Sequence, residues 1–128
     1  MNRSILKCLK ANSRMSWQDI GKKVHLTGQA VSVRVQTMVD EGIISGFTVW
    51  QEQVTRHFIT MFMEHSDFSG FEAFLSETDG VEHAFKVTGE GCYQVIFISE
   101  NGEDLEVFLN HLLRFGKYKV ASAIRCVK

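Results

Sequence analysis

Residues Ser16 to Phe47, SWQDIGKKVHLTGQAVSVRVQTMVDEGIISGF, carry two helical repeats, two caps and a glycine stop in so short a span that few folds can hold them. Trp17, Ile20, Gly21 and Val24 recur at spacings of 3, 4 and 7, so they form the buried side of a helix predicted from Trp17 to Val24. Ser16 is placed to cap it, and Asp19 puts a carboxylate in the first turn, where the helix N-terminus favours negative charge. Gly21 removes a side chain where a second helix must come close. His25 and Leu26 make the turn, Thr27 caps a helix running to about Glu41, and Gly42 ends it in the left-handed conformation that suits glycine. Two helices so joined are predicted to form a helix-turn-helix.

On the second helix Val31, Val35 and Met38 form the inward stripe, with Val39 at its edge. Gln29, Val33 and Gln36 then point the opposite way, flanked by Ser32 and Thr37. Amides, hydroxyls and one apolar side chain suit the DNA major groove: glutamine pairs with adenine edges, hydroxyls with several bases, and valine meets a thymine methyl. Arg34, Lys22, Lys23 and Arg14 are better placed for phosphates, which position a protein without reading sequence. The predicted interface with double-stranded DNA is therefore Thr27, Gln29, Ser32, Val33, Arg34, Gln36 and Thr37, with Lys22, Lys23 and Arg14 beside them. A polar outward face could also do no more than keep a helix in water; the caps and glycines around it favour the groove.

Upstream, Asn2 is placed to cap a further helix with Ile5, Leu6, Cys8 and Leu9 on one face. Charge supports a nucleic-acid module here. Residues 1–46 carry seven Lys/Arg against three Asp/Glu, whereas residues 47–128 carry seven against twelve, although the net charge is only −1. No apolar run is long enough to span a membrane, and the first residues do not read as a secretory signal. Cys8, Cys92 and Cys126 are odd in number without CxxC spacing, which fits a reducing compartment, so a cytoplasmic location is expected.

After Gly46 the helical period gives way to strand-like runs. Residues 47–54 read as a linking strand and Phe58 to Glu64 as a second strand. Phe68, Phe71, Phe74 and Leu75 mark a helix capped by Ser66 or Asp67 and ended by Gly80. Val81, His83, Phe85 and Val87 alternate along a strand that a Gly89-Glu90-Gly91 turn joins to the apolar run Cys92 to Ile98. Leu105, Phe108, Leu109 and Leu112 mark a second helix over Glu103 to Arg114, stopped by Gly116, and Tyr118 to Val127 is the last strand. This order predicts an α+β chain: a winged-type helix-turn-helix over residues 1–46, a linking strand and hinge over 47–56, and a ferredoxin-like βαββαβ sandwich domain over 57–128. Two helices cover one sheet face, and the apolar positions of the other suggest a partner subunit.

ILKCL, VHLTGQAVSVRVQTMVDEGIISGF, KVTGEGCYQV and VASAIRCV, in this order and spacing over nearly all 128 residues, resemble the Lrp/AsnC (feast/famine) transcription regulators. The resemblance implies a sequence-specific DNA-binding repressor or activator that self-associates as a dimer, tetramer or octamer and senses amino acids through the C-terminal domain. It also marks three departures. Cys92 stands where the family usually has an aspartate for an effector's ammonium group, and Val120 where one of two hydroxyl residues in the last strand is common; Ser122 keeps the other. His25 replaces a frequent turn glycine and must accept a positive φ. The implied effector contacts are Gly89, Glu90, Gly91, Cys92 and Ser122, where successive amides of the turn could hold a carboxylate or simply close the hairpin. The effector then either differs from that of relatives or is absent.

Two other readings remain open. An architectural DNA-compacting protein would use the same helices mainly on phosphates, but a recognition helix with only Arg34 as its cation favours base readout. Some proteins resembling this family are tetrapyrrole decarboxylases, and five histidines (His25, His57, His65, His83, His111) could serve chemistry; their spacing matches no metal motif and none has a recognisable catalytic partner. No catalytic residue, metal or cofactor is expected.

Overall fold

Helices α1 (Asn2–Ala11), α2 (Trp17–Val24) and α3 (Gly28–Asp40) build the first of two compact units, Met1–Trp50, in a computed structural model that describes residues 1–128. Helices this short are marginal alone, so packing must hold them. Ile5 and Leu9 from α1, Ile20 and Val24 from α2, and Val31, Val35 and Met38 from α3 form one buried cluster. Each such side chain contributes about 1.5–3 kcal/mol of transfer free energy. Two side-chain caps fix where α2 and α3 begin: the Ser16 hydroxyl accepts from the Asp19 N–H and the Thr27 hydroxyl from the Ala30 N–H, both at 3.1 Å.

Three expectations fail in this unit. Met1, not Asn2, is the N-cap residue of α1, and Asn2 is its first helical residue, leaving its side chain free for other work. Trp17 is 38 % exposed, because α2 is covered along Ile20, Gly21 and Val24 and not at its first turn. Residues 47–54 form no strand; their alternating apolar side chains Phe47 and Val49 stay exposed. A strand forms by pairing its backbone groups with a neighbouring strand, and residues 47–54 take no place in the chain's one sheet.

The second unit, Gln51–Lys128, contains β1 (Thr55–Met63), α4 (Phe68–Glu77), β2 (Val81–Lys86), β3 (Tyr93–Ser99), α5 (Gly102–Leu112) and β4 (Gly116–Ser122). All pairings are antiparallel and the order is β2-β3-β1-β4, the ferredoxin-like arrangement. Ile59 and Met61 of β1 and Tyr93, Val95 and Phe97 of β3 meet Phe71 and Leu75 of α4 and Phe108 and Leu112 of α5, so both helices cover one face. Phe97 and Phe108 stack at 4.3 Å between ring centres. On the other face Phe58 and Phe85 are 43 % and 54 % exposed, beside half-buried Phe62, Ile96 and Ile98.

Strand ends and stops shift from the expected ones. Gly80 does not end α4, which closes at Thr78; it lies under Phe97, whose ring a Cβ there would strike. Gly116 opens β4 and does not stop α5, because a Cβ would run into the Phe62 carbonyl of the neighbouring strand. The regular alternation expected over 81–87 is broken by a bulge between Val81 and His83. Val81 therefore packs against the helix-side core, while His83 and Phe85 pair with Ile96 and Gln94 on the open face.

Candidate nucleic-acid interface and effector contacts

The α2–α3 turn is built from backbone first. His25 takes φ 62° and ψ 45°, the left-handed conformation, which lets its own N–H and that of Leu26 both reach the Gly21 carbonyl. A Cβ on Gly21 would run into the Leu26 carbonyl oxygen, and one on Gly28 would meet the Gln18 backbone nitrogen at 3.2 Å. Glycine at both places is what allows the turn and the start of α3 to lie so close to the body of α2.

This geometry turns the outer side of α3 to solvent. Thr27, Gln29, Val33 and Arg34 line one shallow depression of about 560 Å³, together with Ala30. Val33 is 60 % exposed, so its methyl groups are accessible on the outer side of the helix. Other predicted contacts are partly committed. Gln36 donates from Nε2 to Asp40 Oδ1 at 2.9 Å, and the Thr37 hydroxyl donates to the Val33 carbonyl at 3.0 Å. Ser32 is half-buried, and Arg34 Nη1 lies 3.5 Å from Asn2 Oδ1, a weak tie to the first turn of α1. Lys22 and Lys23 in the last turn of α2 and Arg14 before it are all exposed.

The residues that the resemblance implies for an effector do not form one cluster within a chain. Gly89 and Gly91 adopt φ of +96° and +80° in the β2–β3 connection, and the Cys92 N–H donates to the Met61 carbonyl at 2.7 Å. Ser122 pairs instead with His57, four residues further back along β1. At strand rise that is roughly 13 Å, too far for one small molecule to touch both. Glu90 forms an exposed ion pair with Lys119 at 2.7 Å, and hydrogen bonding from that ammonium lowers the carboxyl's pKa.

Sequence reasoning missed the groups around Ser122. Its hydroxyl lies 2.7 Å from His57 Nδ1, and His57 Nε2 lies 2.8 Å from the Ser99 hydroxyl. His57 and Ser99 are 5 % and 6 % exposed, and burial pushes the imidazole pKa below its usual range. The available signal was parity: His57 shares an inward face with Ile59 and Met61, and Ser99 shares one with Val95 and Phe97. Also missed was the Arg56–Glu82 pair, bidentate at 2.9 and 2.8 Å, with Arg56 Nη1 donating to the Gln51 carbonyl. Tyr93, buried and donating to Glu72 at 2.6 Å, has its pKa pushed up to about 12, chiefly by burial. No three His, Cys, Asp or Glu side chains group to hold a metal ion, and no helix is long and apolar enough to cross a membrane.

Two family models match this chain, one for a winged helix-turn-helix DNA-binding domain over residues 2–45 and one for the Lrp/AsnC ligand binding domain over residues 56–125. The HTH-type transcriptional regulator LrpB of Bacillus subtilis is 32% identical over 129 residues, covering 97% of this chain and 87% of LrpB. The solved structure of Bacillus subtilis LrpC superposes with a TM-score of 0.83 at 22% identity, covering 97% of this chain and 92% of that one. A transcriptional regulator from Neisseria meningitidis, solved as a complex with L-Met, gives a TM-score of 0.79 at 17% identity, covering 98% of this chain and 88% of its own.

Proposed function

The chain belongs to the Lrp/AsnC family of DNA-binding transcriptional regulators and not to an enzyme family, and from that premise we propose that it reads a pseudo-palindromic operator as a homodimer or larger assembly under the control of a small effector. The observation that carries the DNA half is the outer side of α3, where Gln29, exposed Val33 and Arg34 share one depression with Thr27. An amide, a hydroxyl and a methyl-bearing side chain are chemistry for base edges. The charge of α3 points the same way. Arg34 is the only cation of α3, so most of the phosphate attraction falls to Lys22, Lys23 and Arg14, and α3 is left chiefly to discriminate bases.

Self-association rests on the open sheet face, where Phe58, Phe62, Phe85, Ile96 and Ile98 leave apolar surface that a second copy would cover. The effector contacts in this reading are Gly89, Glu90, Gly91 and Cys92 on one side and Ser122 on the other. Their separation along β1 means that a single ligand meets both sets only where two copies adjoin. Cys92 supplies no charge for an ammonium group, so the ligand differs in its contacts from those of relatives that keep the acid.

Selection of bound duplexes from a random pool at physiological salt tests the DNA half. A recovered site should have two half-sites a helical turn, or a multiple of it, apart. Gln29→Ala or Gln36→Ala should then relax preference at one position of each half-site by about 1–3 kcal/mol. An equal loss on every sequence would show that these side chains do not read bases.

A further inference from the structure

Three side chains from three strands, Ser99 of β3, His57 of β1 and Ser122 of β4, form a single polar chain across the helix-covered side of the sheet. Its direction follows from Ser99. That hydroxyl is 6 % exposed and contacts only His57 Nε2, at 2.8 Å. A buried hydroxyl proton without an acceptor is costlier than an idle lone pair, so Ser99 donates and Nε2 accepts. An imidazole held neutral by burial carries one proton, which must then sit on Nδ1. Nδ1–H donates to the Ser122 oxygen at 2.7 Å, and the Ser122 proton is left over. Ser122 is the exposed end of the chain, so that proton faces outward. Each link polarises the next, making the terminal hydroxyl a stronger donor than an isolated serine.

We propose that His57 is a positioning residue of the effector site: through Nδ1 it holds the Ser122 hydroxyl as an outward donor, selecting an effector that presents an acceptor oxygen there, a carboxylate. This rests on the reading of Ser122 as an effector contact. It explains why one hydroxyl suffices on β4 although Val120 supplies none, since the direction of the remaining donor is set from behind. His57 itself touches no ligand.

Nitrogen-15 NMR of the full chain labelled at histidine reads the tautomer directly. A protonated Nδ1 and bare Nε2 at His57 are expected, and the reverse tautomer would overturn the proposal. Calorimetric titration with each common L-amino acid supplies the functional arm. For any that binds, Ser122→Ala and His57→Leu should weaken affinity about tenfold or more, the scale of a lost hydrogen bond to a charged group. His57→Asn, whose amide can replace the Nδ1 donor, should recover most of that loss. Should His57→Leu not fold, Ser99→Ala keeps the ring but frees its tautomer, and about a threefold weakening is expected from the lost polarisation. Binding unchanged in every His57 and Ser99 variant, or equally weak in His57→Leu and His57→Asn, overturns the positioning role while leaving the effector reading intact. If no amino acid binds the wild-type protein, the effector reading falls, and this one with it.

Discussion

His25 holds a left-handed backbone, φ 62° and ψ 45°, between two helices that must nearly touch. A side chain with a Cβ pays for that conformation, roughly 1–2 kcal/mol, and glycine recovers it less its own entropy cost of about 0.5–1 kcal/mol. His25→Gly should therefore stabilise the protein by about 0.5–1 kcal/mol, read as a higher urea midpoint with unchanged slope; a lower midpoint would mean the imidazole makes a contact worth more than the strain. This strain was legible through the resemblance, which sets His25 where relatives often have a turn glycine. The partners of Ser122 were not legible. His57 and Ser99 lie 65 and 23 positions from it in the chain, and periodicity says which face a residue shares but not which residues meet across strands. Thr37 and Gln36 show the same limit on a helix: their place on the outer side follows from spacing, but their bonds to Val33 and Asp40 do not.

Elements defined by local chemistry were the readable ones. α2 and α3 begin after Ser16 and Thr27 because hydroxyl caps act over three residues, and such signals need no tertiary contact. Strands depend on neighbours, which is why residues 47–54 look like a strand and are not one, and why a bulge parts His83 and Phe85 from Val81, with which their alternation had grouped them. That bulged stretch carries Glu82, which ties edge strand β2 to β1 through Arg56, with side chains only 18 % and 10 % exposed. Replacing the acid takes the charged, bidentate acceptor from a buried guanidinium that keeps its bond to the Gln51 carbonyl, so Glu82→Gln should cost about 3 kcal/mol at pH 7. The Arg56 hydrogen bond holds the Glu82 carboxyl below its ordinary 4.5, against the opposing pull of burial. A depressed carboxylate stabilises the fold above its unfolded pKa and loses that contribution as pH falls through its folded value. The gap between wild type and Glu82→Gln should thus be full above about pH 5 and shrink below pH 4.5, as followed by denaturation at stepped pH. A gap constant down to pH 3 would mean the pair is not the source.

At the scale of the whole chain, seven buried residues hold the DNA-reading unit and nine others hold the sheet unit, so each has its own core. A change on the open sheet face leaves the packing under α3 untouched, yet it should still alter DNA binding if that face pairs two copies. Linking two reading units makes the second binding event intramolecular, which can raise overall affinity by about 10²–10⁴ without any new base contact. Phe58, 43 % exposed on central strand β1, is the position where a charge would most directly oppose pairing of these faces. Phe58→Glu should shift the protein towards monomer in sedimentation equilibrium. Its affinity for a duplex with two half-sites should fall by about two orders of magnitude or more, to that for a duplex with one. Binding to the single half-site should stay the same, because Gln29, Val33 and Arg34 lie in the other unit. Equal losses on both duplexes would place the fault in the reading helix, and unchanged binding on both would remove the open sheet face as the surface that pairs the regulator.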